Sequence, residues 1–159
     1  MTELAIMQVV DHDEDAIAGD AGEGVIALSD PDITLAEIES VDQVMRSPRL
    51  SSGSVVEEFE RAFAAYVGRR YAVAVPSGTI GLLIALKACG IGPEHEVIAS
   101  SYSFREATHA ISIAGATPVF ADIDYWAGTL APQKVEARIT ANTRAIVASN
   151  NNGHPAQWT

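Results

Sequence analysis

Tyr71-Ala-Val-Ala-Val-Pro-Ser-Gly-Thr-Ile-Gly-Leu-Leu-Ile-Ala-Leu86 decides how the rest of the chain is read. A β-branched apolar run stops at Pro76, Ser77-Gly78-Thr79 follows, and a helix-forming apolar stretch begins. The order predicts a strand over 71–75, a tight turn and a helix over 78–89 closed by Gly90. A turn of this kind offers backbone N–H groups and the positive end of a helix dipole to an anion, most often a phosphate. Gly78 allows close backbone approach, and the hydroxyls of Ser77 and Thr79 add donors. Two readings stay open from the turn alone: a phosphate site, or a helix capped by Ser77 with nothing bound. The dinucleotide fingerprint is incomplete, because only Gly78-Thr-Ile-Gly81 is present, and no lysine stands near the turn as a P-loop requires.

Outward from that turn the chain alternates. A strand is expected over 96–100, a helix over 104–114 closed by Gly115 and a strand over 117–122. A helix with Pro132 in its first turn and a strand over 144–148 complete the series. The strands are continuous apolar runs, which suits a parallel sheet covered by helices on both faces. Ligands bind such sheets at the carboxyl ends of the strands. The residues to watch are therefore 77–79, 101–104, 122–124 and 149–152. Upstream, Thr34-Leu-Ala-Glu37 is a capping box that opens a helix over 34–46, with Ile33, Ile38, Val41 and Met45 near helical spacing. Ser54-Val-Val-Glu57 reads as a second box, before a helix striped by Val55, Phe59, Phe63 and Tyr66 and stopped at Gly68. Ser103-Phe-Arg-Glu106 reads as a third.

With 159 residues, 48% of them hydrophobic, the chain can bury one sizeable core. No apolar run reaches the roughly 18–20 residues of a membrane helix, and no basic signal-peptide region opens the chain. The single cysteine, Cys89, lies in an apolar helical run and reads as core, so the cytosol is the expected compartment. The net charge is −11, and residues 1–24 hold seven acids and no Lys or Arg. They read as an acidic, solvated leader ahead of a folded part over 25–159. Asp11-His-Asp-Glu-Asp15 has no partner cluster, so no metal site is expected. No basic stripe exists to neutralise phosphates, which disfavours nucleic acid.

Five blocks in series resemble the N-terminal part of the pyridoxal-phosphate (PLP)-dependent sugar aminotransferases of the DegT/DnrJ/EryC1/StrS group. They are the segment from Gly53 to Gly68, the turn from Tyr71 to Leu82, Gly90-Ile-Gly-Pro-Glu-His-Glu-Val-Ile98, Ser101-Tyr-Ser-Phe104 and Ala114-Gly-Ala-Thr-Pro-Val-Phe-Ala-Asp-Ile-Asp124. The resemblance runs from about Ile26 to the end. It implies an α/β fold of the aspartate-aminotransferase type (PLP fold type I), here without its C-terminal half and small domain. It implies PLP, or its amino form PMP, as cofactor, with Ser77, Gly78, Thr79 and Ile80 at the phosphate and Phe104 stacked on the ring, where an electron-poor ring suits an aromatic face. Without the resemblance, Phe104 reads as a core residue of a helix first turn.

The implied reaction moves an amino group from an amino acid such as glutamate to a nucleotide-linked keto sugar. The implied assembly is a homodimer, or a second polypeptide supplying the missing half. The family's Schiff-base lysine is expected beyond Thr159, so no catalytic residue is assigned here and the chain alone is expected to be inactive. Lys87 lies eight residues past Thr79 on the same helix, roughly 12 Å away along its axis, and Lys134 is expected to face solvent. Three places depart from the pattern or carry weaker assignments. Gly53 matches a loop close to the active site. Arg105, followed by Glu106, stands where small or apolar residues are usual, and either binds substrate or faces solvent. Asn150-Asn-Asn152 replaces His-Leu-Tyr, with Asn150 as a substrate-binding candidate. The departures keep a second reading open: a relative that binds PLP or PMP without transaminating, as a sugar dehydratase or regulatory protein does. A third reading is a small scaffold that uses the turn for some other phosphate.

Overall fold

A computed structural model describes residues 31–51 and 53–157. The expected leader, 1–24, lies outside the described residues. The chain divides into two compact units, one ending at Val55 and one running from Val56.

In the first unit, helix α1 (Leu35–Met45) begins as the sequence requires. The Thr34 N–H donates to Glu37 Oε2 at 2.7 Å, and the Ala36 N–H donates to Thr34 Oγ1 at 3.2 Å. Two orphan donors of the first turn are thereby satisfied. The Thr34 hydroxyl and backbone hold the Glu37 carboxyl below the usual carboxylate range. Asp42 accepts from Arg46 Nε at 2.8 Å in the last turn.

Helix α2 (Ser54–Tyr66) starts at Ser54 itself, which places Gly53 rather than Ser54 at the cap. The expected second capping box is therefore not formed. Phe59 and Phe63 stack at 5.8 Å, but both remain about half exposed. The stripe read from the sequence exists, yet it is not covered among the described residues.

The second unit is built on three parallel strands: β1 (Glu96–Ser100), β2 (Thr117–Ala121) and β3 (Thr143–Val147), in the order β2-β1-β3. β1 is central and its last four residues are fully buried. Val97 and Ala99 face helices α3 (Gly78–Ala88) and α4 (Arg105–Ile113), where they pack with Leu86, Ala110 and Ile111. Ile98 faces the other way, onto Val135 of the short helix α5 (Pro132–Glu136) and onto Leu130. This is why β1 is apolar at successive positions: both faces are roofed. The register slips between Glu96 and Val97, where Arg144 is the extra residue on β3.

The expected strand over 71–75 is not part of the sheet. Among the described residues it has no ladder partner, and Tyr71 and Val73 are 78% and 76% exposed. The Ala74 N–H is satisfied instead by Glu60 Oε1 at 2.7 Å. Strand preference reflects packing on a pleated surface, and no neighbour is present here to supply one. Cys89 also departs from expectation. It caps α3 and is exposed, because the buried face of that helix is Leu82, Leu83 and Leu86. No helix among the described residues is long and apolar enough to cross a membrane.

Candidate functional site at the strand ends

The turn at Ser77 opens α3. Ser77 is extended, and its hydroxyl accepts from the Ile80 N–H at 3.3 Å. Its carbonyl receives the first helical bond, from Gly81 N at 2.9 Å. The Gly78 and Thr79 N–H groups have no acceptor among the described residues. A Cβ built on Gly78 meets nothing within 4 Å, so the space above the turn is open to a ligand. Gly81 is tight by contrast, since a Cβ there stands 3.1 Å from Val75 Cγ2. The bare glycine edge of α3 thus seats its first turn against the preceding segment.

Helix α4 packs along α3, and Lys87 Nζ donates to the Ala114 carbonyl at 2.7 Å. That bond joins the carboxyl-terminal ends of the two helices, so both N-termini open on the opposite side, at the strand ends. It also places Lys87 at the far end of α3 from Ser77. Lys134, on α5, is exposed as expected.

Phe104 precedes α4 and is 84% exposed, which removes the core reading of this side chain. The third capping box is absent: Phe104, not Ser103, holds the cap position, and no side chain caps the helix. Ser103 Oγ turns back to the Ser100 carbonyl at 3.3 Å. Phe104 borders a cavity of about 300 Å³ with Tyr102, Ser103, Asn151 and Asn152. Two of the strand-end loops singled out from the sequence therefore meet in one cavity. Arg105 faces solvent, its side chain 82% exposed and its Nε 3.7 Å from Glu106 Oε1. The other Glu106 oxygen is buried without a hydrogen-bond partner among the described residues, in the first turn of α4 where the helix dipole favours negative charge.

Asn150 does not line the cavity; its Oδ1 accepts from the Ala156 N–H at 3.0 Å and closes a local turn. Its neighbour Asn151 reaches further. Asn151 Nδ2 donates to the Tyr102 carbonyl at 2.9 Å and to the Gly128 carbonyl at 2.8 Å. In the sequence Asn151 stands out only as one of the strand-end residues 149–152 and as part of the Asn150–Asn152 departure, with no role of its own. Gly53 lies in the first unit, near the Arg49 backbone. Among the described residues no group of His, Cys, Asp and Glu is gathered to hold a metal.

A parallel sheet with helices on both faces, a helix N-terminus with unspent donors and an exposed aromatic at the strand ends together describe part of the large domain of a PLP fold-type-I enzyme. Residues 31–159 match the DegT/DnrJ/EryC1/StrS aminotransferase family, and the chain belongs to that family. It is 48% identical over 117 residues to the spore coat polysaccharide biosynthesis protein SpsC of Bacillus subtilis (strain 168), covering 74% of this chain and 30% of SpsC. DesV of S. venezuelae, solved in complex with a ketimine intermediate, superposes with a TM-score of 0.73 at 40% identity, over 77% of this chain and 33% of DesV. The putative sugar aminotransferase Spr1654 of Streptococcus pneumoniae, solved in its PMP form, superposes with a TM-score of 0.79 at 31% identity, over 83% of this chain and 33% of that one. The chain therefore spans about a third of the length of these relatives.

Proposed function

We propose that this chain is the cofactor-phosphate portion of a PLP-dependent aminotransferase that transfers an amino group from an amino acid such as glutamate to a nucleotide-linked keto sugar. The observation that carries the proposal is the pairing of two unspent N–H groups, Gly78 and Thr79, with an exposed Phe104 on the same side of the helical layer. The N–H groups and the Thr79 hydroxyl hold the phosphate with the α3 dipole behind them, and Ser77 keeps the turn shaped. The Ile80 N–H, already held by Ser77, is shared. Phe104 offers a flat apolar face to the ring. When bound, PLP supplies the electron sink for amino-group transfer.

Lys87 is tied to the distant end of α3 and Lys134 stands on α5, which supports the reading that neither forms the Schiff base and that the family's lysine lies beyond Thr159. Gly53, Arg105 and Asn150 are the substrate-binding candidates: Arg105 is exposed at the start of α4, and Asn150 acts through the turn it closes. The complete protein works in the cytoplasm as a homodimer, or with a second polypeptide that finishes the domain.

The test is the visible spectrum of the complete protein, loaded with PLP and dialysed. A band that borohydride fixes covalently, and that glutamate discharges, is expected. A band lost on dialysis, with no covalent fixation, would favour the non-transaminating relative. No band at all would sink the cofactor reading. Phe104→Ala should weaken PMP binding by up to about tenfold, in line with roughly 0.5–1.5 kcal/mol for one aromatic stacking contact.

A further inference from the structure

Three loops leave the carboxyl ends of the three strands, and one side chain touches all of them. The loop after β1 runs through Tyr102 to Phe104, the loop after β2 turns back at Gly128, and the turn after β3 carries Asn151. The two hydrogens of one amide nitrogen reach two carbonyls, Tyr102 and Gly128, at 2.9 and 2.8 Å. An amide NH2 has two donors, so both are spent and none remains for a ligand.

The acceptor on the β1 side is itself held. Ser100 Oγ donates to the Tyr102 carbonyl at 2.9 Å and accepts from the Tyr102 N–H at 3.1 Å. Ser100 is 3% exposed, so this anchor is rooted in the core. On the β2 side, Gly128 closes a turn through its N–H to the Asp124 carbonyl at 2.9 Å. A Cβ on Gly128 would stand 3.9 Å from Tyr102 Cε1, so the Tyr102 ring lies over this turn. Asp124 Oδ1 further accepts from the Trp126 and Ala127 N–H groups at 2.9 and 2.8 Å. Each carbonyl is thus presented by a turn with bonds of its own, and Asn151 is the side chain that ties those two turns to the one after β3.

We infer that Asn151 is a positioning residue: it clamps the loops after β1 and β2 to the turn after β3, and so sets the orientation of Phe104, two residues beyond the clamped carbonyl. The inference rests on the cofactor reading of Phe104. An exposed aromatic next to a helix start has little packing of its own to fix it, and Phe104 is 84% exposed among the described residues. Its backbone must be fixed instead, and among the described residues Asn151 supplies the one hydrogen bond between the Tyr102–Phe104 segment and the β3 turn. Positioning groups of this kind act by holding a first contact in its productive geometry.

Two substitutions in the complete protein test it. Asn151→Asp keeps the shape, removes both donors and turns a charge toward two carbonyls. Asn151→Ala removes the bonds without the charge, and keeps the test open should the Asp variant misfold. PMP affinity is measured by fluorescence titration, the circular dichroism of the bound cofactor is recorded, and each variant is repeated in a Phe104→Ala background. The expected result is an affinity loss of about tenfold for Asn151→Asp, an altered cofactor dichroism, and a loss of less than about threefold once Phe104 is absent. Hydrogen exchange should rise at Tyr102–Phe104 and at Gly128 while β1 stays protected. Unchanged affinity, or the same factor in both backgrounds, overturns the clamp and leaves the cofactor reading intact. Exchange that rises throughout β1 also overturns it, since Asn151 is then a fold residue. A wild-type protein that binds no PMP overturns the cofactor reading, and the positioning role falls with it.

Discussion

Gly115 and Gly78 are both glycines at helix ends, and they carry opposite demands. Gly115 follows α4 with φ +88°, and a Cβ there would sit 3.3 Å from Pro93 Cδ. Gly115→Ala should therefore cost about 1–2 kcal/mol, from the left-handed backbone alone, read as a lower urea midpoint. Gly78 is in open space with ordinary backbone. Gly78→Ala should leave stability within about 1 kcal/mol while lowering PMP affinity by about tenfold, because the added Cβ stands in the open space above the turn and keeps the phosphate off an N–H, the scale of one charge-assisted hydrogen bond. Equal losses in both measurements would show that the glycine serves the fold. Glu37 gives a pH dependence. Its carboxyl is held low by Thr34, so the α1 cap is intact above the usual carboxylate range and is lost as pH falls through the depressed value. The Glu37 resonance should titrate below the usual carboxylate range, and move back toward it in Thr34→Val.

Elements were legible in the sequence where local chemistry sufficed. β1, β2, β3, α3 and α4 fall within a residue or so of expectation, since each has its own apolar period and its own stop. The α1 capping box formed because Thr34 and Glu37 need only each other. The Ser103 box failed because the Ser103 hydroxyl found the carbonyl at the end of β1, a partner that exists only after folding. The 71–75 segment failed as a strand for the complementary reason: a strand is made by its neighbour. The strand-end cavity was visible as a location, since parallel sheets bind there. Asn151 was not, because its role depends on two carbonyls 49 and 23 residues away in sequence. At this scale the sheet makes its own prediction. Ile98 is fully buried against α5 and Leu130, so Ile98→Ala should cost about 2–5 kcal/mol. Arg144→Ala, at the exposed bulge, should cost far less.

Across the second unit, apolar side chains remain uncovered along one stretch. Phe59, Phe63, Val67 and the 71–75 segment line a groove of about 470 Å³. Exposed apolar surface beside an unpaired segment is an association hazard. Val73→Glu should lower concentration-dependent self-association of the 159-residue chain in sedimentation, and an unchanged profile would show that the groove does not drive it. The strand order β2-β1-β3 has a further consequence, for the order of assembly. β1 and β2 are joined by one short helix, so their pairing closes a small loop and forms early. The opposite edge of β1 stays open until β3 has been made. On a ribosome the β1–α4–β2 unit emerges first, and a buried central strand spends that interval half-dressed. Slowed translation between Ala121 and Thr143 would lengthen the interval, so the yield of folded protein should depend on how quickly that short stretch is read.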